Sequence, residues 1–265
     1  MPLMDKFELG EFFFRKSDWG ACSFMNKLSK LDSREHNPNR ATELLFFTIH
    51  AFNSGWFERD NITNVQNLIS SQFLKGAEVN KALHIKGGDV LNLIPYLILS
   101  SKKTNVSDTI KMIRFLTEKN ADKEVSFEAV NSNEKKSSLY FLIKEDEREV
   151  EEIKVLLDYL KQENFSIQVA REQNDKKYSL IHQIITKESF SFEKKLALID
   201  WFLNNFGKEA NWSVKHENSE LTETLMKSLK NSNFSSEQFR QIFDLLKSNG
   251  IDINVLQKND KNSKA

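Results

Sequence analysis

The stretch QFRQIFDLLKSNGIDIN, residues 238–254, contains the pattern that decides the fold. Its first part places apolar residues three and four positions apart, which is the spacing of an amphipathic helix with one buried face. Asn249 and Gly250 are expected to end the helix, because Asn and Gly readily take the left-handed conformation found at helix ends. The alternating residues 251–254 then predict an extended loop.

The same pattern of a helix and a stop occurs five times along the chain. Apolar residues at helical spacing cover residues 64–76, 109–120, 152–164, 195–207 and 238–250. Each segment ends at Gly or Asn, and successive stops lie 44, 44, 43 and 43 residues apart. A near-constant interval over five copies indicates a tandem array. The stops are Gly76, Asn120, Asn164, Gly207 and Gly250.

A second landmark lies between the stops, where short apolar segments follow a residue with a short side-chain oxygen. Such an oxygen can accept from the free N–H groups of a first helical turn, a cap that contributes about 1 kcal/mol. Each repeating unit therefore reads as a turn, a capped inner helix, a connector, an outer helix, a stop and an extended loop. The predicted caps are Thr42, Asp89, Ser138, Ser179 and Thr224.

Two stretches carry a family resemblance. KGAEVN (75–80) is similar to the hairpin sequence G-A-D-V-N of the ankyrin repeat, and NDKKYSLIHQII (174–185) is similar to the start of its first helix, D-x-x-G-x-T-P-L-H. Residues 37–265 therefore resemble ankyrin repeats, although the signature prolines are missing and the interval exceeds the family's period of about 33 residues. A HEAT-type solenoid, with a period of about 40–47 residues, is the alternative, but it lacks the extended hairpin.

The resemblance implies an all-α solenoid of about five ankyrin-like repeats over residues 37–265. Residues 1–36 carry no repeat and contain a dense aromatic cluster, so we interpret them as an N-terminal cap that covers the apolar face of the first repeat. A separate partner-binding segment is the alternative. The side chains predicted to be buried between neighbouring repeats include Leu156, Leu160, Phe202, Leu203, Leu245 and Leu246.

The composition excludes several classes of protein. Among 265 residues, 38 Lys and Arg balance 38 Asp and Glu, so no basic footprint for nucleic acid is expected. The single cysteine, Cys22, rules out an internal disulfide framework and suits a reducing compartment. The longest apolar run (90–99) is too short to span a bilayer, and residues 1–14 do not form a secretory signal. We expect a soluble, cytosolic type of protein with no membrane insertion.

Cys22, in DWGACSFMNKL (18–28), is the strongest candidate for catalysis, because a thiolate at a helix start is stabilised as a nucleophile. The alternative function is therefore a cysteine-dependent enzyme. No histidine is a convincing partner, and His182 occupies a position that is structural in ankyrin repeats. We favour a buried structural thiol and predict no catalytic site. No metal-binding spacing or phosphate loop is present, so no metal or cofactor is expected.

Lysine pairs stand at equivalent turns in NEKKSS (133–138) and NDKKYS (174–179). We interpret them as solvated turns, with a phosphate-binding edge as the alternative.

The resemblance also implies a function, because ankyrin-like proteins bind partner proteins through the concave surface of inner helices and hairpins. Bulky residues at hairpin positions, where no core is expected, are the natural anchors, since aromatic side chains dominate binding hot spots. Packing of these residues on the adjacent hairpin is the alternative. The predicted partner-binding residues are Trp212, Phe127, His84, Leu83 and Lys215.

The abundance of Lys, Asn, Phe and Ile is typical of A/T-rich genomes. A stand-alone, diverged array of this kind resembles the effectors that intracellular bacteria inject into host cells. We therefore expect a protein that acts on a host protein, located in the cytoplasm or secreted into the host cytosol. An internal scaffold of the producing cell is the alternative.

Overall fold

In the computed structural model, helices predominate among the described residues and the strands are short, as the sequence predicts. The described residues are 38–53, 62–84, 89–101, 104–129, 134–145, 148–167, 170–173, 176–206, 229 and 232–250. The predicted cap segment 1–36 lies outside them. The helices are α1 (Pro38–Asn53), α2 (Ile62–Leu74), α3 (Leu93–Ser100), α4 (Val106–Glu118), α5 (Ser138–Glu145), α6 (Val150–Gln162), α7 (Leu180–Thr186), α8 (Phe192–Phe206) and α9 (Ser236–Ser248). The strands are β1 (Leu83–His84), β2 (Asp89–Leu91), β3 (Ser126–Ala129), β4 (Glu134–Ser137), β5 (Ala170–Gln173) and β6 (Lys176–Ser179).

The chain forms two compact units. Unit 1 comprises residues 1–133 and 164–166, and unit 2 comprises residues 134–163 and 167–265. In unit 1, α1 packs against α2 and α3, and α4 packs against the same two helices. In unit 2, α7 packs against α5 and α8, while α8 also packs against α6 and α9. The predicted burial is confirmed for Leu156, Leu160, Phe202, Leu203 and Leu246, whereas Leu245 is only half-buried.

The predicted helix stops are confirmed where the structure describes them. Positive φ angles occur at Gly76 (88°), Asn120 (64°), Asn164 (58°) and Gly250 (75°), and Gly207 lies outside the described residues. After α2, the N–H of Ala77 donates to the carbonyl of Gln72 over 3.0 Å, which is the bond that closes a left-handed helix terminus. The left-handed residue therefore turns the chain from each of these outer helices into the loop that follows.

The predicted caps of the inner helices are only partly right. Ser179 does directly precede α7, and Thr224 lies outside the described residues. The prediction is wrong for Thr42, because α1 already begins at Pro38, whose fixed φ suits a first helical position. It is also wrong for Asp89, which lies in β2 and pairs with Ala129 of β3, so that Asn92 is the residue before α3.

Ser138 is also misplaced by the sequence prediction, because it is the first residue of α5 rather than its cap. Well-formed caps instead stand at the outer helices. The Asn105 side chain accepts from the N–H of Asp108 before α4, and Ser235 forms a reciprocal capping box with Gln238 before α9.

Two consecutive helices of unit 1 are free of charge. Neither α2 (ITNVQNLISSQFL) nor α3 (LIPYLILS) contains Asp, Glu, Lys or Arg. Pro95 is the third residue of α3, and its missing N–H costs nothing there, because the first N–H groups of a helix have no partner within the helix. These helices are therefore held by apolar burial and by neutral hydrogen bonds.

Inside each unit, residues one sequence interval apart form hydrogen bonds with each other. In unit 1, Asn53 Nδ2 donates to the carbonyl of Leu97, 44 residues away, over 3.2 Å. In unit 2, Trp201 Nε1 donates to Asp158 Oδ1, 43 residues away, over 2.7 Å. Within each unit, residues one sequence interval apart are therefore neighbours in space.

Candidate functional site

Three of the five predicted partner-binding residues lie on one small sheet of unit 1. Strand β2 pairs antiparallel with β1 on one side and with β3 on the other, and Val90 is the register partner of both His84 and Glu128. Leu83 and His84 form β1, and Phe127 lies in β3. The sheet therefore joins residues about 44 positions apart in sequence. We call β1, β2 and β3 the unit 1 sheet; Trp212 and Lys215 lie outside the described residues.

Hydrogen bonds fix the loops that lead into the unit 1 sheet. The side chain of Asn80 donates through Nδ2 to the carbonyl of Asn120 over 2.9 Å and accepts at Oδ1 from the N–H of Asp122 over 2.8 Å. The hydroxyl of Thr42 accepts from the N–H of Glu78 over 2.9 Å. Thr42 thus ties the first loop to α1, and Asn80 ties the first loop to the second.

Among the described residues, three short strands belong to unit 2. Strands β5 and β6 pair antiparallel over four residues each, with Arg171 opposite Tyr178 and Glu172 opposite Lys177. Strand β4 lies beside β5. Strands β4 and β6 contain the two lysine pairs that the sequence analysis interpreted as solvated turns.

A histidine and a tyrosine connect α1 with α3. His50 Nδ1 and the Tyr96 hydroxyl are 2.9 Å apart, and the edge of the Phe46 ring contacts the Tyr96 ring. Burial lowers the pKa of His50 below its ordinary value of 6.5 and raises the pKa of Tyr96. Both groups are therefore uncharged at neutral pH, and the pair acts as a neutral contact between two successive inner helices.

In unit 2, Lys187 in the connector between α7 and α8 and Lys194 in the first turn of α8 make the comparable contacts. Lys187 Nζ donates to the carbonyl of Ile143, near the end of α5, over 2.7 Å, and Lys194 Nζ donates to the carbonyl of Arg148. Both ammonium groups also lie 4.5 Å from the centroid of the buried Phe190 ring. A cation over an aromatic face is attracted by the ring, so Phe190 orders both lysines.

Lys195, in the first turn of α8, makes a further contact with the end of α7. Its Nζ donates to the carbonyl of Ile185 over 2.8 Å and lies 5.1 Å from the Phe234 ring centroid. Burial lowers the pKa of Lys195, and the charge of Glu188 opposes this shift. A cation at the C-terminal end of a helix is favourable because the last carbonyls carry partial negative charge. These lysines therefore have a structural role.

The structure gives no geometry for the catalytic alternative. Cys22 lies outside the described residues, and His182 is placed only as part of α7. Among the residues that the structure describes, no three His, Cys, Asp or Glu side chains are grouped as ligands for a metal ion. Within that same part of the chain, every helix is too short or too polar to cross a membrane.

No known protein family, curated protein or solved structure matches this chain.

Sequence reasoning missed the two polar arrangements between successive helix pairs. The His50–Tyr96 pair could have been sought, because the two residues lie 46 positions apart, close to the repeat interval. The stretch KESFSFEKK (187–195) has three lysines around Phe190 and Phe192, which is a signal for cation–aromatic contacts.

Proposed function

We propose that the chain is an ankyrin-like repeat protein that binds a partner protein through its hairpin strands and inner helices and catalyses no reaction. The observation that carries this proposal is the unit 1 sheet, because it joins Leu83, His84 and Phe127 from two successive loops. A surface assembled from several repeats is how solenoid proteins bind extended partners. The left-handed stops at the repeat interval support the repeat architecture.

The side chains at these strand positions suit an interface. Leucine and phenylalanine supply apolar contact area at positions 83 and 127, which share one face of the sheet by register, whereas position 84 belongs to the opposite face. A few such anchors carry most of the binding free energy in a typical interface. Trp212 belongs to the same proposal by its position in the fourth loop, two residues after Ala210.

The test is capture of a partner from cell lysate by the immobilised chain of 265 residues. We expect Trp212→Ala and Phe127→Ala each to reduce the captured partner by at least about tenfold, the usual effect of losing an aromatic anchor. The melting temperature should be unchanged. Leu74→Ala is the matched control, because Leu74 is 88% exposed at the end of α2, away from the unit 1 sheet in sequence.

Equal capture by all variants would refute the proposed surface. A large fall in melting temperature for Trp212→Ala or Phe127→Ala would assign that residue to the core instead.

We further propose that the partner is a host protein and that the chain acts in the host cytosol as a secreted effector. The support is limited to the composition, rich in Lys, Asn, Phe and Ile, and to the resemblance described above. A translocation assay on the full chain, compared with a variant lacking residues 256–265, tests this proposal. Absence of any translocation would favour a scaffold that acts in the producing cell.

A further inference from the structure

The outer helices α4, α6 and α9 can be compared residue by residue. Each contains 13 residues, and their first residues are Val106, Val150 and Ser236. Helix α6 therefore starts one sequence interval after α4, and α9 starts two intervals after α6. Residues that hold the same position in the three helices are equivalent.

The fourth and eighth positions of these helices differ in burial. In α6 they hold Ile153 and Leu157, which are fully buried, and the two equivalent residues of α4 are fully buried as well. In α9 they hold Phe239 and Phe243, whose rings stack on each other with centroids 6.2 Å apart. Both phenylalanines are only half-buried. The face that is closed in α4 and α6 is therefore partly open to solvent in α9, where it carries larger apolar side chains.

The corresponding face of α6 contacts the next outer helix, α8. Asp158, the ninth residue of α6, accepts from a tryptophan of α8, and Lys161, the twelfth, donates to oxygens near the end of α8. In α9, Asp244 and Lys247 hold these two positions, and both are exposed. Beside its two phenylalanines, α9 therefore carries the charged residues with which α6 contacts a neighbouring outer helix.

The charged residues of α9 are complementary to themselves. Glu237 and Lys247 lie five residues on either side of Ile242, and Arg240 and Asp244 lie two residues on either side of it. In an antiparallel pair of α9 helices with a two-fold axis at Ile242, residues equally far from the axis on opposite sides lie at the same level. Glu237 of one copy then meets Lys247 of the second copy, and Arg240 meets Asp244. In a parallel pair, each residue would meet its own equivalent and like charges would repel.

We propose that two copies of this chain associate through α9 in an antiparallel pair. The inference goes beyond the proposed function and does not rest on the unit 1 sheet. Phe239 and Phe243 of each copy supply the apolar contact near the two-fold axis, and the four charged residues flank it. A two-fold interface uses the same patch on both subunits, so it requires a patch that is complementary to itself.

The ion pair within α9 leaves these charges able to pair across the axis. Arg240 Nε lies 3.6 Å from Asp244 Oδ2, and the two side chains are 75% and 63% exposed. An exposed pair one helical turn apart contributes little to stability, so exchanging it for a contact with the second copy costs little.

The size of the helix pair sets the expected affinity. A helix of 13 residues is about 20 Å long, and two such helices bury less surface than a standard protein–protein interface. We therefore expect a weak dimer, with a Kd of about 10–100 µM.

Sedimentation equilibrium of the chain of 265 residues, at concentrations on both sides of that Kd, tests the inference. We expect the apparent mass to rise from 30.9 kDa towards twice that value. Phe243→Ala should weaken the association at least about tenfold, because an aromatic anchor is lost. Far-UV circular dichroism checks that the variant is folded. A wild type that stays monomeric, or one that grows beyond a dimer as head-to-tail contacts would, overturns the inference.

Charge reversal tests the pairing without touching the apolar contact. The acidic variant Arg240→Glu/Lys247→Glu and the basic variant Glu237→Lys/Asp244→Lys should each self-associate at least about tenfold more weakly, because like charges then meet across the axis. An equimolar mixture of the two variants should form a dimer again, which damage to the fold would not produce. Absence of association in the mixture overturns the inference.

The matched control is Lys111→Glu/Arg114→Glu, which reverses two exposed charges on α4. This variant should self-associate as the wild type does, and weakening equal to that of the acidic variant would overturn the inference. Capture from lysate gives the competing outcome. A monomeric chain that captures another protein only when Phe243 is present would assign this face of α9 to that protein instead of a second copy.

Discussion

In unit 1, neutral side chains connect helix pairs one interval apart, whereas in unit 2 lysines and a tryptophan–aspartate bond make the equivalent connections. The amide of Asn53 and the His50–Tyr96 pair serve α1 and α3. Lys187 and Trp201 reach the preceding helix pair of unit 2. Contacts about one sequence interval apart therefore use two kinds of chemistry, and the two units should respond differently to mutation, pH and salt.

The largest expected effect is at Trp201, which is 6% exposed and packs edge-on against Phe202. Trp201→Ala should lower the free energy of unfolding by about 3–5 kcal/mol, the usual cost of deleting a buried tryptophan. Trp201→Phe retains a ring and loses the bond to Asp158, so we expect about 1–2 kcal/mol. Urea denaturation followed by circular dichroism measures both, and equal losses would show that the ring itself contributes little.

In unit 1, the matching test is Asn53→Ala. Asn53 is fully buried, and the variant leaves the carbonyl of Leu97 without the amide donor. We expect a loss of about 1–3 kcal/mol, independent of salt because no charge is involved. Asn64→Ala is the control, since Asn64 is exposed on α2 and should change stability by less than about 0.5 kcal/mol. If the loss in Asn53→Ala depended on salt, charge would contribute to this contact, and the contrast between the two units would be wrong.

Acid should destabilise unit 1 through His50. Burial holds the pKa of His50 below 6.5, so the unfolded chain takes up a proton at a higher pH than the folded one. The stabilisation is therefore fully present above pH 6.5 and is lost as the pH falls below it, by at most about 1.4 kcal/mol per pH unit.

Hydrogen exchange of the α1 segment across this pH range, corrected for intrinsic rates, measures the effect. His50→Gln removes the titrating group and should flatten the profile, whereas His182→Gln in α7 should leave it unchanged. An unchanged profile in His50→Gln would assign the acid sensitivity to another group.

Lys161 gives a smaller, salt-sensitive effect in unit 2. Its Nζ donates to the backbone and side-chain oxygens of Asn205 near the end of α8, and the residue is exposed. Lys161→Met should cost about 0.5–1 kcal/mol at low salt and nearly nothing in about 1 M NaCl, because salt screens exposed charges. Urea denaturation at both salt concentrations measures the free energy of unfolding of the variant and of the wild type. A loss that persists in high salt would mean that packing of the stem, not charge, makes the contact.

The smallest effect concerns the helix stops. Asn164 has a φ of 58°, a conformation that glycine adopts without steric cost. Asn164→Gly should raise the free energy of unfolding by about 0.5 kcal/mol, whereas Asn164→Ala should lower it by about 1 kcal/mol. Thermal denaturation of the pair of variants measures the difference, and destabilisation by glycine would contradict the argument.

The sequence predicted the helices and their stops well because both depend on local chemistry. Apolar spacing located α4, α6, α8 and α9 to within a few residues, and Asn or Gly marked their ends where the structure describes them. The starts of the inner helices were harder to predict. Asp89 belongs to β2 rather than to a helix because it pairs with β3. Such pairing depends on a residue about 40 positions away, and a local sequence pattern carries no information about so distant a partner.

For the candidate site, residue types at loop positions selected Leu83, His84 and Phe127, and the structure places all three on one sheet, which the sequence did not predict. The contact between His50 and Tyr96 was missed, because it joins two helices through residues 46 positions apart, and no local pattern reports such a contact.

Pro95, in the first turn of α3, also matters before the chain has folded. The surrounding run VLNLIPYLIL is uncharged and apolar, a composition that promotes intermolecular strand pairing when it is exposed during synthesis. Proline lacks the N–H that such pairing needs, so it interrupts the segment as an aggregation gatekeeper. The same residue that the native helix tolerates in its first turn thus protects the nascent chain from self-association.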